Sequence, residues 1–216
     1  MNKKLAAVML SVFLAETAPV TLNGEEVKTP RTSAMATETI LYTLADEITK
    51  LLLCTRNVIA LNQDLINTCS AGHYEFKGFV PAVVASQISE DFGALGEIAL
   101  KQTSLKTRNP DNTPDDWETE TLKKLDSPGY SKGKAFAEMV TVKGKATYRY
   151  MRPIYITPVC LPCHGEKESI PKEIREFLES RYPQDAATGY KTGDLRGGIS
   201  VTIPVADWFL DKLDAH

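Results

Sequence analysis

Cys160-Leu161-Pro162-Cys163-His164 sets two thiols and an imidazole within five residues. At this Cys-x-x-Cys-His spacing the thiols can add to the two vinyl groups of a haem while the adjacent imidazole ligates its iron. With 4 Cys and 3 His in 216 residues, the pattern arises by chance in about one such chain in a thousand. Two other chemistries use similar thiols. Zinc takes four ligands, and Cys54, Cys69 and His73 lie roughly ninety residues or more away without a second compact knuckle. A redox dithiol belongs at a helix start in a βαβ setting, and nothing before Cys160 supplies one. The stretch therefore reads as the attachment site of one haem c, held by Cys160, Cys163 and His164.

Iron has a further axial position. Cys54, Cys69, His73, His216, Met139 and Met151 are chemically able to fill it, as is water. Arg108, Arg152 and Arg196 can form bidentate, charge-assisted hydrogen bonds to haem propionates, although each equally suits a turn-bracing ion pair. Arg196 is the strongest of the three, because the glycines around it let backbone approach a ring edge. Trp117, Tyr148 and Tyr150 read first as packing residues. Cys54, on an apolar helical stretch, reads as a small apolar residue. A Cys54–Cys69 disulfide would require a bend, since fifteen residues of straight helix span about 22 Å.

Elements must position these groups. Apolar residues recur at three- and four-residue steps from Ile40 to Ile66, which predicts a long, bent helix ending near Cys69. Residues 70–79 read as a loop, and Pro81 opens a second helix at a position where its missing N–H costs nothing. Residues 108–118 form a series of turns, with Asp115 or Asp116 capping a short helix through Leu125. Two runs, residues 135–142 and 146–156, flank Lys143-Gly144-Lys145 and predict a β-hairpin. A charged helix near residues 171–180 and a strand at 198–204 complete an α+β domain, with an antiparallel sheet of at least three strands and helices to one side.

Composition narrows the class. Apolar residues at 43% and charged ones at 25% exclude wholesale disorder and a polytopic membrane protein. A net charge of −3, with Lys and Arg scattered among acids, excludes a nucleic-acid footprint. Residues 1–18 carry two lysines and an apolar run too short for a comfortable span, which predicts an export signal or an N-terminal anchor. Residues 19–36 read as a loose segment and 37–216 as the domain. The protein is thus expected in the periplasm or otherwise exported, touching a membrane only if the leader is uncleaved.

Four stretches together resemble a family of single-haem c-type proteins with a PAS-like fold, which includes stand-alone exported cytochromes and the sensing domains of histidine kinases and chemoreceptors. They are Thr107-Arg108-Asn109-Pro110 through Trp117-Glu118, Tyr148-Arg149-Tyr150-Met151-Arg152-Pro153, Cys160 to Gly165, and Gly189-Tyr190 through Arg196-Gly197-Gly198 to Val201. The resemblance spans roughly residues 40–205. It implies a PAS-like antiparallel sheet, with a long N-terminal helix and flanking helices around one haem c. It also implies a cysteine thiolate on iron from the end of the helix before the sheet, which here is Cys69, with His73 brought into contention by a longer following loop.

The expected function is electron transfer between exported redox proteins. The alternative is a redox or gas sensor for NO or CO, passing its signal to a separate partner because no output domain follows. An enzyme is not expected, since no His–Arg pair beside an open distal pocket can be read.

Overall fold

The computed structural model describes residues 30–205, the short segments Thr21–Leu22 (β1) and Glu25–Glu26 (β2), and side chains from residue 35 onward. The leader (residues 1–18) and His216 lie outside the described residues. β1 and β2 pair with each other, and helix α1 (Pro30–Leu61) begins inside the segment read as loose. Asn62 ends α1 with its side chain donating to the Val58 carbonyl at 2.7 Å, and α2 (Gln63–Asn67) follows, so the expected bend falls there. The buried Asn67 side chain accepts from the Lys77 N–H at 2.9 Å and fixes the loop to α3 (Pro81–Ala94), which Pro81 opens as expected.

β3 (Ala99–Thr103) pairs with the last strand. Asp115 caps α4 (Asp116–Leu125) in a reciprocal capping box with Glu118. β4 (Phe136–Val142) and β5 (Lys145–Tyr155) form the expected hairpin, turned by Lys143 and Gly144 at φ 51° and 78°, the two positive values a tight primed turn needs. α5 (Leu161–His164), α6 (Lys172–Arg181) and β6 (Leu195–Pro204) complete the chain. The four-stranded antiparallel sheet runs β3-β6-β5-β4, and the fold is α+β.

The two central strands do not alternate buried with exposed residues, because both faces of the sheet are covered. Tyr148, Tyr150, Val201 and Ile203 pack with Leu41 and Ala45 of α1, and Ile199 meets Leu52 of α1 and Ala85 of α3. On the other face Met151 packs with Leu122 and Leu125 of α4. This corrects the expectation of helices to one side: α4 lies opposite α1 and α3. Gly198 permits that packing, since a Cβ there would sit 2.7 Å from Met151 Cγ.

Ion pairs fasten each layer. On the α1 face, the Tyr150 hydroxyl donates to Asp46 at 2.7 Å and Arg152 bonds both Asp46 and Thr49. On the α4 face, the buried Glu118 carboxylate binds Lys101 at 2.8 Å and faces Arg149, which also binds Asp115 at 2.9 Å and lies over the Trp117 ring. The 108–118 turns are thus a brace between α4 and the sheet. Glu118→Ala would leave Lys101 without its carboxylate and Arg149 with Asp115 alone, and would remove half of the α4 capping box, so it should lower the unfolding free energy by about 3 kcal/mol, read as a lower denaturation midpoint in urea at unchanged slope.

Candidate functional site

β5 leads directly into the cysteine turn. Ile156 is 1% exposed and exchanges backbone hydrogen bonds with Asp194 and Gly193, both at 2.9 Å. A 3-10 turn, Pro158–Cys160, then runs into α5, with the Cys160 sulfur 3.4 Å from the Thr157 hydroxyl. The turn is zipped to residues 185–190 by Gly189 N–H to Gly165 O at 2.8 Å and Tyr190 N–H to His164 O at 3.0 Å.

These contacts orient His164. Its Nδ1 lies 2.7 Å from the Ala187 carbonyl, which can only accept, so Nδ1 carries the proton and Nε2 keeps its lone pair. Burial, reinforced by the charges of Arg196 and Arg108, holds the imidazole well below its usual pKa and therefore neutral. A neutral imidazole with a free Nε2 is the form that binds a metal. Cys160 and Cys163 are free thiols rather than a disulfide. Cys160 packs beside Ile156, Ala187 and Tyr190, and Cys163 beside Ile170, Ile174 and Leu178. Burial pushes the Cys163 thiol up, against the opposing pull of Arg108.

The three arginines singled out by sequence take different places. Arg108 pairs with Asp185 at 2.8 Å and donates to the Cys163 carbonyl at 2.6 Å, while Asp185 also accepts from the Ala187 N–H. It braces the two segments that hold His164. Arg152 is committed to Asp46 and Thr49 of α1. Arg196 is the extra residue of a β-bulge, where Ile154 pairs with Gly197 but Tyr155 pairs with Leu195. A bulge re-aims a side chain, and here the Arg196 guanidinium sits 5.6 Å from the Tyr190 ring centre and donates to the Lys106 carbonyl at 3.2 Å. Arg196, Tyr190 and Lys106 also line a recess of about 330 Å³.

Arg56 of α1 joins them and was not singled out from sequence. Its guanidinium bonds the Gln102 side-chain oxygen, and burial, then the charge of Arg196, pull it down to about 10. The available signal was its spacing: Arg56 lies four residues after Leu52, on the stripe that faces the core. Among the described residues no carboxylate forms an ion pair with Arg56 or Arg196. Two guanidiniums near Cys160 and His164 thus lack an anion, an arrangement suited to the carboxylates of an anionic ligand.

Cys69 and His73 close one turn after α2. The Cys69 N–H donates to the His73 carbonyl at 2.9 Å and the Cys69 sulfur lies 3.2 Å from His73 Nδ1. Phe76 of the same loop packs into the cluster that contains Cys163, and its N–H donates to Glu173 of α6 at 2.7 Å. The loop therefore borders the attachment turn. Of the other axial candidates, Met151 is fully buried beneath α4, Met139 is exposed on β4 and Cys54 is exposed on α1. Among the described residues no group of three or more His, Cys, Asp or Glu side chains could hold a metal ion unaided, and no helix is long and apolar enough to cross a membrane.

Comparison with known proteins agrees with this architecture. The chain is similar to a solved structure described as the cyanobacterial heme-protein Tll0287, with 26% identity, a TM-score of 0.60, and coverage of 76% of this chain and 96% of that one. No curated protein matches. The family model Tll0287-like matches residues 28–204, most of the sheet and helices described above, and the chain belongs to the Tll0287-like family.

Proposed function

We propose that the protein is a monohaem c-type cytochrome of PAS-like fold that transfers electrons between exported redox proteins, in which Cys160 and Cys163 would attach the haem and His164 would hold its iron. The observation that carries this reading is the His164 ring, neutral, half-buried and tethered at Nδ1 with Nε2 left free beside two unpaired thiols. The similarity to a structure described as a heme-protein supports it. Haem supplies an iron that gains or loses one electron. The chain's residues do the rest. Ala187 fixes the imidazole tautomer, Arg108 with Asp185 holds the two segments around it, and Arg56 and Arg196 are the groups to receive propionates. Cys69 would supply a second ligand to the iron, an anionic donor that stabilises the ferric state and lowers the potential.

A second reading is a redox or gas sensor acting through a separate partner. It is favoured by one observation: Cys69 and His73 stand 3.2 Å apart on the same turn, so two donors of different charge are available at one place. Export to the periplasm follows in both readings from the signal-like residues 1–18.

Replacing Cys160 and Cys163 together by Ala should abolish acid-acetone-resistant haem, and haem staining that persists on a denaturing gel would sink the assignment. Arg56→Ala and Arg196→Ala should each retain haem yet lower the potential by on the order of 50 mV, because a lost positive charge favours the oxidised iron. Arg152→Ala, whose charge is neutralised by Asp46, should change the potential far less in the same voltammetry. Cys69→Ala should remove the thiolate charge-transfer band and raise the potential, whereas His73→Ala should leave that band in place; the reverse pattern would assign the position to His73.

A further inference from the structure

Helix α1 turns an apolar face to solvent. Leu41, Ala45, Thr49 and Leu52 set its core side. Away from them, Ile40, Leu44, Leu51, Val58 and Leu61 are 51%, 40%, 71%, 58% and 68% exposed, and Leu65, beyond the Asn62 bend on α2, is 76% exposed. Leu44, Leu51, Val58 and Leu65 recur every seven residues. Ile40, Cys54 and Leu61 fall on a second seven-residue series, offset from the first by three and four, in which Glu47 is the one charged member. Such positions occupy roughly 100° of helix surface, the width of a coiled-coil seam. This face cannot be satisfied by the domain's own core, which α1 already meets with its other side.

The six side chains expose roughly 600 Å² per copy, at the upper end of patches tolerated on a monomer. That area approaches the roughly 800 Å² per partner of a stable interface before flanking residues are counted. We propose that two copies of the chain pair through this stripe of α1 as a parallel, in-register two-helix coiled coil. Parallel register stacks each apolar layer on its own copy and sets Cys54 opposite Cys54 between the Leu51 and Val58 layers. Parallel register also sets Glu47 opposite Glu47, a like-charge layer that the Lys50 ammonium, 2.7 Å from the carboxylate on its own helix, offsets. The proposal does not depend on the haem reading.

Light scattering on the full chain at micromolar concentration should give twice the 23.8 kDa chain mass. Leu51→Glu should halve that mass and leave the circular dichroism of the folded chain unchanged, while its melt falls to the lower, concentration-independent value of an unpaired chain, since Leu51 is 71% exposed in its own domain. Mixing Leu51→Glu with Leu51→Lys should restore a dimer, because parallel pairing sets the two positions face to face. Diamide, which accepts the two protons and two electrons released as two Cys54 thiols join, should yield a covalent dimer in the wild type and none in Cys54→Ser. A monomeric wild type, whether residues 206–216 or a membrane surface then occupies the stripe, would overturn the proposal. So would a dimer that survives Leu51→Glu, and failure of the charge-swapped mixture to pair would overturn the parallel register.

Discussion

The backbone hydrogen bonds between residues 156–165 and residues 185–194 hold the site together, because they join the exit of one central strand to the entrance of the next. β5 and β6 are paired along nearly their whole length, so the segments that continue from them are delivered side by side. Once zipped, the Ala187 carbonyl accepts from His164 Nδ1 at 2.7 Å and from Arg108 at 3.4 Å, and the imidazole has one tautomer and one orientation. Arg108 and Asp185 brace the same two segments from outside, and the bulge at Arg196 occurs where the strand pair ends. Precision at His164 is therefore borrowed from the most extensive strand pairing in the molecule.

Charge in the site is unbalanced in a way that structural ion pairs elsewhere are not. Arg149 and Arg152 each meet a carboxylate, and those pairs fasten α4 and α1 to opposite faces of the sheet. Arg56 and Arg196 instead repel one another and share in keeping His164 neutral. A partly buried cation without an anion costs stability, so the arrangement favours a dianionic ligand strongly over an empty site. The same field opposes protonation of the imidazole, and hence competition for the nitrogen that would bind iron.

α1 links several of these features. One side completes the core through Leu41, Ala45 and Leu52 and carries Asp46, Thr49 and Arg56 to their partners in the sheet and the site. The opposite side carries the exposed seven-residue repeat. A helix satisfied on both sides would tie the position of Arg56 to whatever α1 packs against outside its own domain.

The sequence by itself determined the local items, since each rests on contacts within a few residues: the cysteine–histidine turn, a cap at Asp115 or Asp116, the Lys143-Gly144 hairpin and Pro81 at a helix start. It also carried the family's motifs, and with them the α+β class. What it left open depends on pairs far apart in the chain. Placing α4 on the face opposite α1 required knowing that Met151 points one way and Tyr150 the other. Separating Arg108, Arg152 and Arg196 into a brace, a helix anchor and an unpaired cation required Asp185, Asp46 and the bulge to be in position. Arg56 looked like one more residue of a helix until the fold set it beside Arg196, because a side chain's electrostatic partners are fixed by tertiary contact and not by its neighbours in the chain.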